Sequence, residues 1–245
     1  LPIVFVAYWR LLRGRSARKV FLLLASWFFY MSWNPKLILL LWASTFLDFS
    51  TVWAMGRPDS RPRRRALLAL SVVFNLSILM VFKYANFFLG SADAAASFLG
   101  WHWSPGRLAI ILPLGISFYT FETISYVVDA YNRKNPPCRN PLDYGLFISF
   151  FPHLIAGPIV RPKQFLPQLD KDKALRAENV SVGASYFLYG LLKKLVLADG
   201  LSHIVDVVFA APGGHGTAAT WLGVVAYAMQ IYCDFSGYST MAYGL

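Results

Sequence analysis

Apolar residues run through this chain in long stretches, Val20–Phe29, Leu37–Phe49, Ala66–Phe82 and Val180–Phe209, separated by shorter segments crowded with arginine. A hydrocarbon core about 30 Å thick is crossed by roughly 20 mainly apolar residues in a helix, and several of these windows approach that length with few charges inside. The pattern predicts an all-α, multipass transmembrane protein. Val20–Trp53 is too long for one average crossing and is interrupted at Ser32, Trp33, Asn34, Pro35 and Lys36. Proline is tolerated in the first turn of a helix, where its missing amide would have had no partner, so Pro35 opens a second helix and the two form a hairpin. Ala66–Leu89 then crosses, and Gly90–Arg107 forms a weakly charged loop with Trp101 and Trp103 at the interface. Leu108–Val128 crosses back, bent or divided at Pro113 and Gly115.

From Tyr144 onward the pattern is less regular. Leu146–Phe151 is apolar, but Pro152, Gly157, Pro158 and Pro162 follow closely, so residues 144–178 are expected to form a broken or re-entrant stretch ending in an interfacial helix over Lys163–Glu178. Irregular backbone survives at membrane depth only where protein or a wet cavity supplies its hydrogen bonds. Val180–Phe209, interrupted by Lys193, Lys194 and Asp199, is one long tilted helix or a pair; Ala210–Gly216 is a turn, and Thr220–Leu245 begins another membrane element. Residues 1–245 read as a single membrane domain. Leu1–Trp9 look like the tail of a membrane helix, and Leu245 follows Gly244 with no loop or cap, so the expectation is a fragment truncated at both ends.

Composition agrees with lipid as solvent: 57% of residues are hydrophobic and 14% charged, and the mean hydropathy is +0.48. Soluble domains carry about a quarter charged residues. A formal charge of +11 would suit nucleic acid, but much of it sits in two clusters, Arg10, Arg13, Arg15, Arg18 and Lys19, then Arg57, Arg61, Arg63, Arg64 and Arg65. The hairpin between them returns the chain to one side, as the cytoplasmic bias of lysine and arginine requires, and Arg133, Lys134 and Arg139 in Asn132–Pro141 fall on that side too. No basic face interleaved with stacking aromatics and no reading helix is present, so membrane lipids are the expected partner and nucleic acid is not. Cys138 and Cys233 make no disulfide framework. No metal-ligand spacing, nucleotide-binding glycine pattern or nucleophile elbow is found.

Ionisable side chains in apolar surroundings are functional suspects, here Glu122, Asp129, His153, Lys193, Lys194, Asp199, Asp206 and Asp234. Asp129 and Asp206 also fit helix ends, the lysines can snorkel, and Asp199 can cap a turn beside Ser202. Glu122, after Phe118-Tyr119-Thr120-Phe121, and Asp234, within Tyr232-Cys233-Asp234-Phe235-Ser236, are enclosed by aromatics and can escape lipid only toward the bundle interior. His153 is the histidine embedded in an apolar setting; His102, His203 and His215 are not. On these residues alone the readings of a transporter or channel with broken helices at Pro113, Gly157 and Pro158, or of a noncatalytic scaffold, stay open.

Three ordered runs go further. Leu112-Pro113-Leu114-Gly115-Ile116-Ser117-Phe118-Tyr119-Thr120-Phe121 continues through Ile124, Ser125, Tyr126 and Asp129; Phe151-Pro152-His153-Leu154-Ile155-Ala156-Gly157-Pro158-Ile159-Val160-Arg161-Pro162 continues to Phe165, Leu166 and Pro167; Tyr232-Cys233-Asp234-Phe235-Ser236-Gly237-Tyr238-Ser239 is the third. Together they resemble the membrane-bound O-acyltransferase family, in its bacterial alginate O-acetyltransferase branch. The resemblance implies a partial helical ring around a thinned centre in the bacterial inner membrane. It implies transfer of an acyl group, usually acetyl, from a cytoplasmic thioester such as acetyl-CoA to an exported polysaccharide such as alginate, with periplasmic acetylation partners, no tightly bound cofactor and no metal. The family's catalytic histidine lies in a motif beyond Leu245, so the catalytic residue here is unknown and the span alone is expected to lack turnover. His153, Glu122, Asp234, Arg161, Tyr232 and Ser236 are the candidates for lining or supporting a funnel. Thr240 stands where the family pattern carries an acid, a departure within that local network.

Overall fold

The computed structural model describes residues 2–56, 60–101, 106–154, 160–171 and 174–245. Arg57, His102, Trp103, Gly157 and Pro158, named above, lie outside these residues, as do 155–159 of the second run. Among the described residues every regular element is a helix, and Pro35–Met55, Arg61–Phe98 and Ala177–Ala210 are long and apolar enough to cross a membrane. They fall into two compact units, residues 2–154 with 160–171, and residues 174–245.

In the first unit, α1 (Pro2–Val6) runs on through a π-type turn, Ala7–Leu11, and α2 (Arg15–Met31) follows. The hairpin forms where the proline predicts it. Asn34 accepts a hydrogen bond from the Lys36 amide, Pro35 sits in the first turn, and a short 3-10 turn leads into α3 (Ile38–Met55). Next, α4 (Arg61–Leu79) passes through a π-type turn at Met80–Tyr84 into α5 (Ala85–Phe98). The loop expected over Gly90–Arg107 is therefore helical as far as Phe98. Ala92, Ala94, Ala95 and Ala96 are strong helix formers, and the stop comes at Gly100, whose φ of 76° lets Trp101 bond back to the Ala96 carbonyl.

The expected crossing Leu108–Val128 is also corrected, because Leu108–Leu114 is not helical and α6 spans Ile116–Tyr131. Pro113 disfavours helix in the residue before it, and Gly115 enters the left-handed region at φ 66° immediately before α6. The Asn86 side chain satisfies the extended stretch by pairing with both the N–H and the C=O of Leu108, each at 2.9 Å. Within 144–178, α7 (Pro141–Ser149) is capped by Asn140, and α8 (Phe151–Leu154) and α9 (Pro162–Leu169) are short. The interfacial helix expected to reach Glu178 ends at Leu169, and Glu178 belongs to the next helix.

The core of this unit is the face of α6 packed on α3, α4 and α7, with Tyr119, Tyr126, Val127, Tyr144 and Phe147 almost fully buried. Arg64, read from sequence only as part of a basic cluster, is buried and donates to the carbonyls of Ala130 and Tyr131 at 3.2 and 2.7 Å. It caps the negative end of α6 and joins the start of α4 to the end of α6, the two ends that the charge pattern puts on one side. At the same kind of junction Lys19 bridges Asp143 and Asp170, each at 2.8 Å.

In the second unit, α10 (Ala177–Leu192), a π-type turn (Lys193–Ala198) and α11 (Asp199–Ala210) form one continuous helix, the first of the two readings left open above. After the turn, α12 (Thr217–Gly244) packs back antiparallel. Apolar side chains give helices no reason to associate in lipid, so close van der Waals contact must do it. Here Gly183 meets Gly244 and Gly190 meets Gly237, and a Cβ on any of the four would fall 2.5–2.9 Å from the carbonyl oxygen opposite.

Candidate functional site

The buried face of α6 presents Tyr119, Glu122 and Tyr126, three and four residues apart and so on one stripe. The single turn α8 brings His153 to it. The His153 Nε2 lies 3.0 Å from the Phe147 carbonyl oxygen and 3.6 Å from Glu122 Oε1, and the two side chains are each 6% exposed. A carbonyl oxygen can only accept, so Nε2 carries a proton and donates it to Phe147. The rings of Phe150 and Phe165 pack on it with centroids 5.6 and 5.7 Å away. Two residues chosen separately from the sequence thus form one pair, able to orient a substrate or accept a proton from it. Arg161, from the same run, is exposed just before α9.

A second polar cluster in this unit goes beyond the residues singled out from the sequence. Asp48 on α3 is fully buried with Ser44, and α4 and α6 supply Ser71, Asn75 and Thr123. The Ser71 hydroxyl donates to Asp48 Oδ1 at 2.5 Å, the Asn75 amide reaches both carboxylate oxygens at 3.0 and 2.9 Å, and the Ser44 hydroxyl donates to Asn75 Oδ1 at 2.6 Å. The signal is present in the sequence: a lone acid inside an apolar run, with Ser44 one turn before it and Ser71 and Asn75 one turn apart on the next helix.

The second unit gathers its own charges. Lys194 Nζ stands 2.6 Å from Asp234 and 2.8 Å from Asp199, while Lys193 Nζ donates to the Ser236 hydroxyl at 2.9 Å and lies 4.5 Å from the Tyr189 ring centre. A π-type turn rotates the side chains that follow it, and this one carries both lysines toward α12. Asp234 is not shut in by aromatics, since its side chain is 42% exposed; the Lys194 ammonium neutralises it. Tyr232 is exposed, and Thr240 bonds back to the Ser236 carbonyl at 2.6 Å. Asp199 holds Lys194 rather than capping a turn, and Asp129 accepts from Asn135 near the end of α6, as a helix-end acid would. Between α6 and α7, burial pushes the Cys138 thiol above its ordinary range. Among the described residues no group of three or more His, Cys, Asp and Glu could hold a metal ion.

No family model matches the chain. Over its whole length it is 40% identical, across 248 residues, to a probable alginate O-acetylase of Pseudomonas syringae pv. tomato, covering 46% of that protein. It is 35% identical, across 275 residues, to a peptidoglycan O-acetyltransferase of Helicobacter pylori, again over the whole chain and 51% of the relative. A teichoic acid D-alanyltransferase of Lacticaseibacillus rhamnosus is 29% identical over 208 residues, which are 75% of this chain and 51% of that one. The chain spans about half the length of the curated relatives it matches.

Proposed function

Because the chain is homologous along its whole length to bacterial O-acetyltransferases, we propose that it is part of a membrane-bound O-acyltransferase of the inner membrane. The whole protein moves an acyl group, acetyl in the first instance, from a cytoplasmic thioester such as acetyl-CoA to a hydroxyl on an exported polysaccharide, alginate being the leading acceptor. Periplasmic acetylation proteins act with it. The observation that carries this reading is the similarity, over the whole chain, to two relatives named for acetyl transfer that differ in acceptor. The shared chemistry is the transfer, and the polymer is the finer part of the proposal.

The first unit contributes the His153–Glu122 pair as support for the reacting groups. The His153 Nε2–H donates to the Phe147 carbonyl, with Glu122 3.6 Å from the same nitrogen, so the ring plane is fixed and Nδ1 is the nitrogen that would accept. Fixing an acceptor relative to a hydroxyl is a positioning contribution, and a misplacement of about 1 Å can cost on the order of 10²-fold in rate. Asp234 and Ser236, held by Lys194 and Lys193, support the second unit in the same way.

The test is incorporation of labelled acetyl into exported polysaccharide by cells with and without the intact gene. Loss of label with export of the polymer unchanged supports transfer. Loss of export itself supports the transporter reading, and unchanged label refutes the proposal.

A further inference from the structure

The turn that joins α11 to α12 stands on the side of the membrane away from the basic residues of its own unit. Lys173 and Arg176 precede α10, whereas no lysine, arginine, aspartate or glutamate lies between Asp206 and Asp234. The helix Ala177–Ala210 is continuous and long enough to cross, so the bias of lysine and arginine places its start in the cytoplasm and the turn outside.

A groove of about 410 Å³ opens there, lined by His215, Thr217, Thr220, Trp221 and Val224. Small-molecule sites span about 300–1,000 Å³. Thr220, Trp221 and Val224 follow Thr217 by three, four and seven positions and so share one face of α12, and His215 adds a wall from the turn. Its Nε2 stands 3.3 Å from the Val207 carbonyl oxygen, which can only accept, so this nitrogen carries the proton and Nδ1 is the free acceptor. Thr220 donates to the Gly216 carbonyl at 3.3 Å and keeps its lone pairs to accept with. The Trp221 indole is 66% exposed. A tryptophan that only anchors a helix at the interface needs neither acceptors nor a concavity beside it.

We propose that this groove is a docking subsite for one pyranose ring of the exported polysaccharide, an inference that deepens the acyl-transfer reading and rests on it. A pyranose has a face of C–H groups and a rim of hydroxyls. The electropositive C–H groups pack on the negative face of the indole, while rim hydroxyls donate to His215 Nδ1 and Thr220 Oγ1. Among the described residues no charged side chain lines the groove, so it holds the sugar by its ring and hydroxyls rather than by any carboxylate the polymer carries. Docking one unit here keeps the polymer at the outer face of the membrane between transfers.

The experiment follows a fluorescently labelled mannuronate oligosaccharide binding to the full-length protein in lipid nanodiscs, by anisotropy, with no thioester present. The wild type binds it saturably. Trp221→Leu keeps an apolar side chain at the interface but removes the flat ring, and weakens binding by about fivefold, the scale of one aromatic contact; Trp221→Phe restores most of the loss. Thr220→Val, which keeps the shape and removes the acceptor, also weakens binding, and decides if Trp221→Leu fails to accumulate. Absence of saturable binding by the wild type overturns the proposal. So does equal affinity in the wild type and Trp221→Leu, since the tryptophan is then only a membrane anchor, or equal affinity in Trp221→Leu and Trp221→Phe. Unchanged affinity in Trp221→Leu with labelled acetyl still incorporated removes the groove and leaves acyl transfer standing; weakened affinity without incorporation does the reverse.

Discussion

A methyl group at Gly190 tests how the two helices of the second unit are held. In Gly190→Ala the new Cβ would lie 2.5 Å from the Gly237 carbonyl oxygen, 2.7 Å from the Met241 amide nitrogen and 2.8 Å from Met241 Cγ. Two of these are backbone atoms of α12 and cannot swing aside. Carbon and oxygen rest in contact at about 3.3 Å, so the helices must part locally by roughly 0.8 Å, loosening the matching Gly183–Gly244 approach. Overpacking of this kind costs about 1–3 kcal/mol. Replacing glycine by alanine inside a helix returns up to about 1 kcal/mol of its own, so one variant alone is ambiguous. Gly200→Ala removes the ambiguity, since Gly200 is helical and a Cβ there meets nothing within 4 Å. The difference between the variants isolates the steric term. With the unfolding temperature of the full-length protein as readout, Gly190→Ala should lie roughly 2–12 °C below Gly200→Ala, taking the soluble-protein conversion. Equal unfolding temperatures would refute glycine contact as the basis of this packing.

Three further outcomes follow from the first unit. Arg64→Met leaves two carbonyls at the end of α6 without their charged donor and should cost about 1–3 kcal/mol of stability, read as a lower unfolding temperature; an unchanged value would show the cap to be incidental. Lys19→Met strands Asp143, whose side chain is 11% exposed, and should cost about 3–5 kcal/mol. Asp170→Asn removes only the solvent-facing arm, 72% exposed, and should cost under about 1 kcal/mol; equal losses in the two variants would contradict this division. A thiol pushed up by burial has less thiolate at a given pH, so Cys138 should react with iodoacetamide at pH 8 more slowly than a free cysteine peptide and gain rate as pH rises. A rate equal to the peptide's would show the thiol unperturbed.

The hairpin at Pro35 is legible in the sequence because proline acts within a single turn. The end of α5 is not, because hydropathy falls at Gly90 while helix propensity, set by the alanines after it, does not. Leu108–Leu114 misleads in the opposite direction: the stretch is as apolar as a helix, but Pro113 and Gly115 govern its backbone. Glu122 and His153 can be singled out as charges among aromatics, yet their meeting depends on how α8 lies against α6, which no spacing along the chain encodes.

Asp48 escapes a hydropathy reading for a reason that applies to membrane chains generally. Where nearly every position is apolar, hydrophobicity no longer distinguishes the face turned to protein from the face turned to lipid. The minority residues carry that information. Ser44 and Asp48 lie four apart on α3, and Ser71 and Asn75 four apart on α4, so each helix has one polar stripe; the two must face each other, since lipid would satisfy neither. Gly183 and Gly190 lie seven apart on α10, as do Gly237 and Gly244 on α12, and matched seven-residue spacings of the smallest residue mark two surfaces that can touch. Both contacts are therefore encoded in the spacing of polar and small residues within the apolar runs, and the runs themselves, which set only the number and length of the crossings, are silent about which helix meets which.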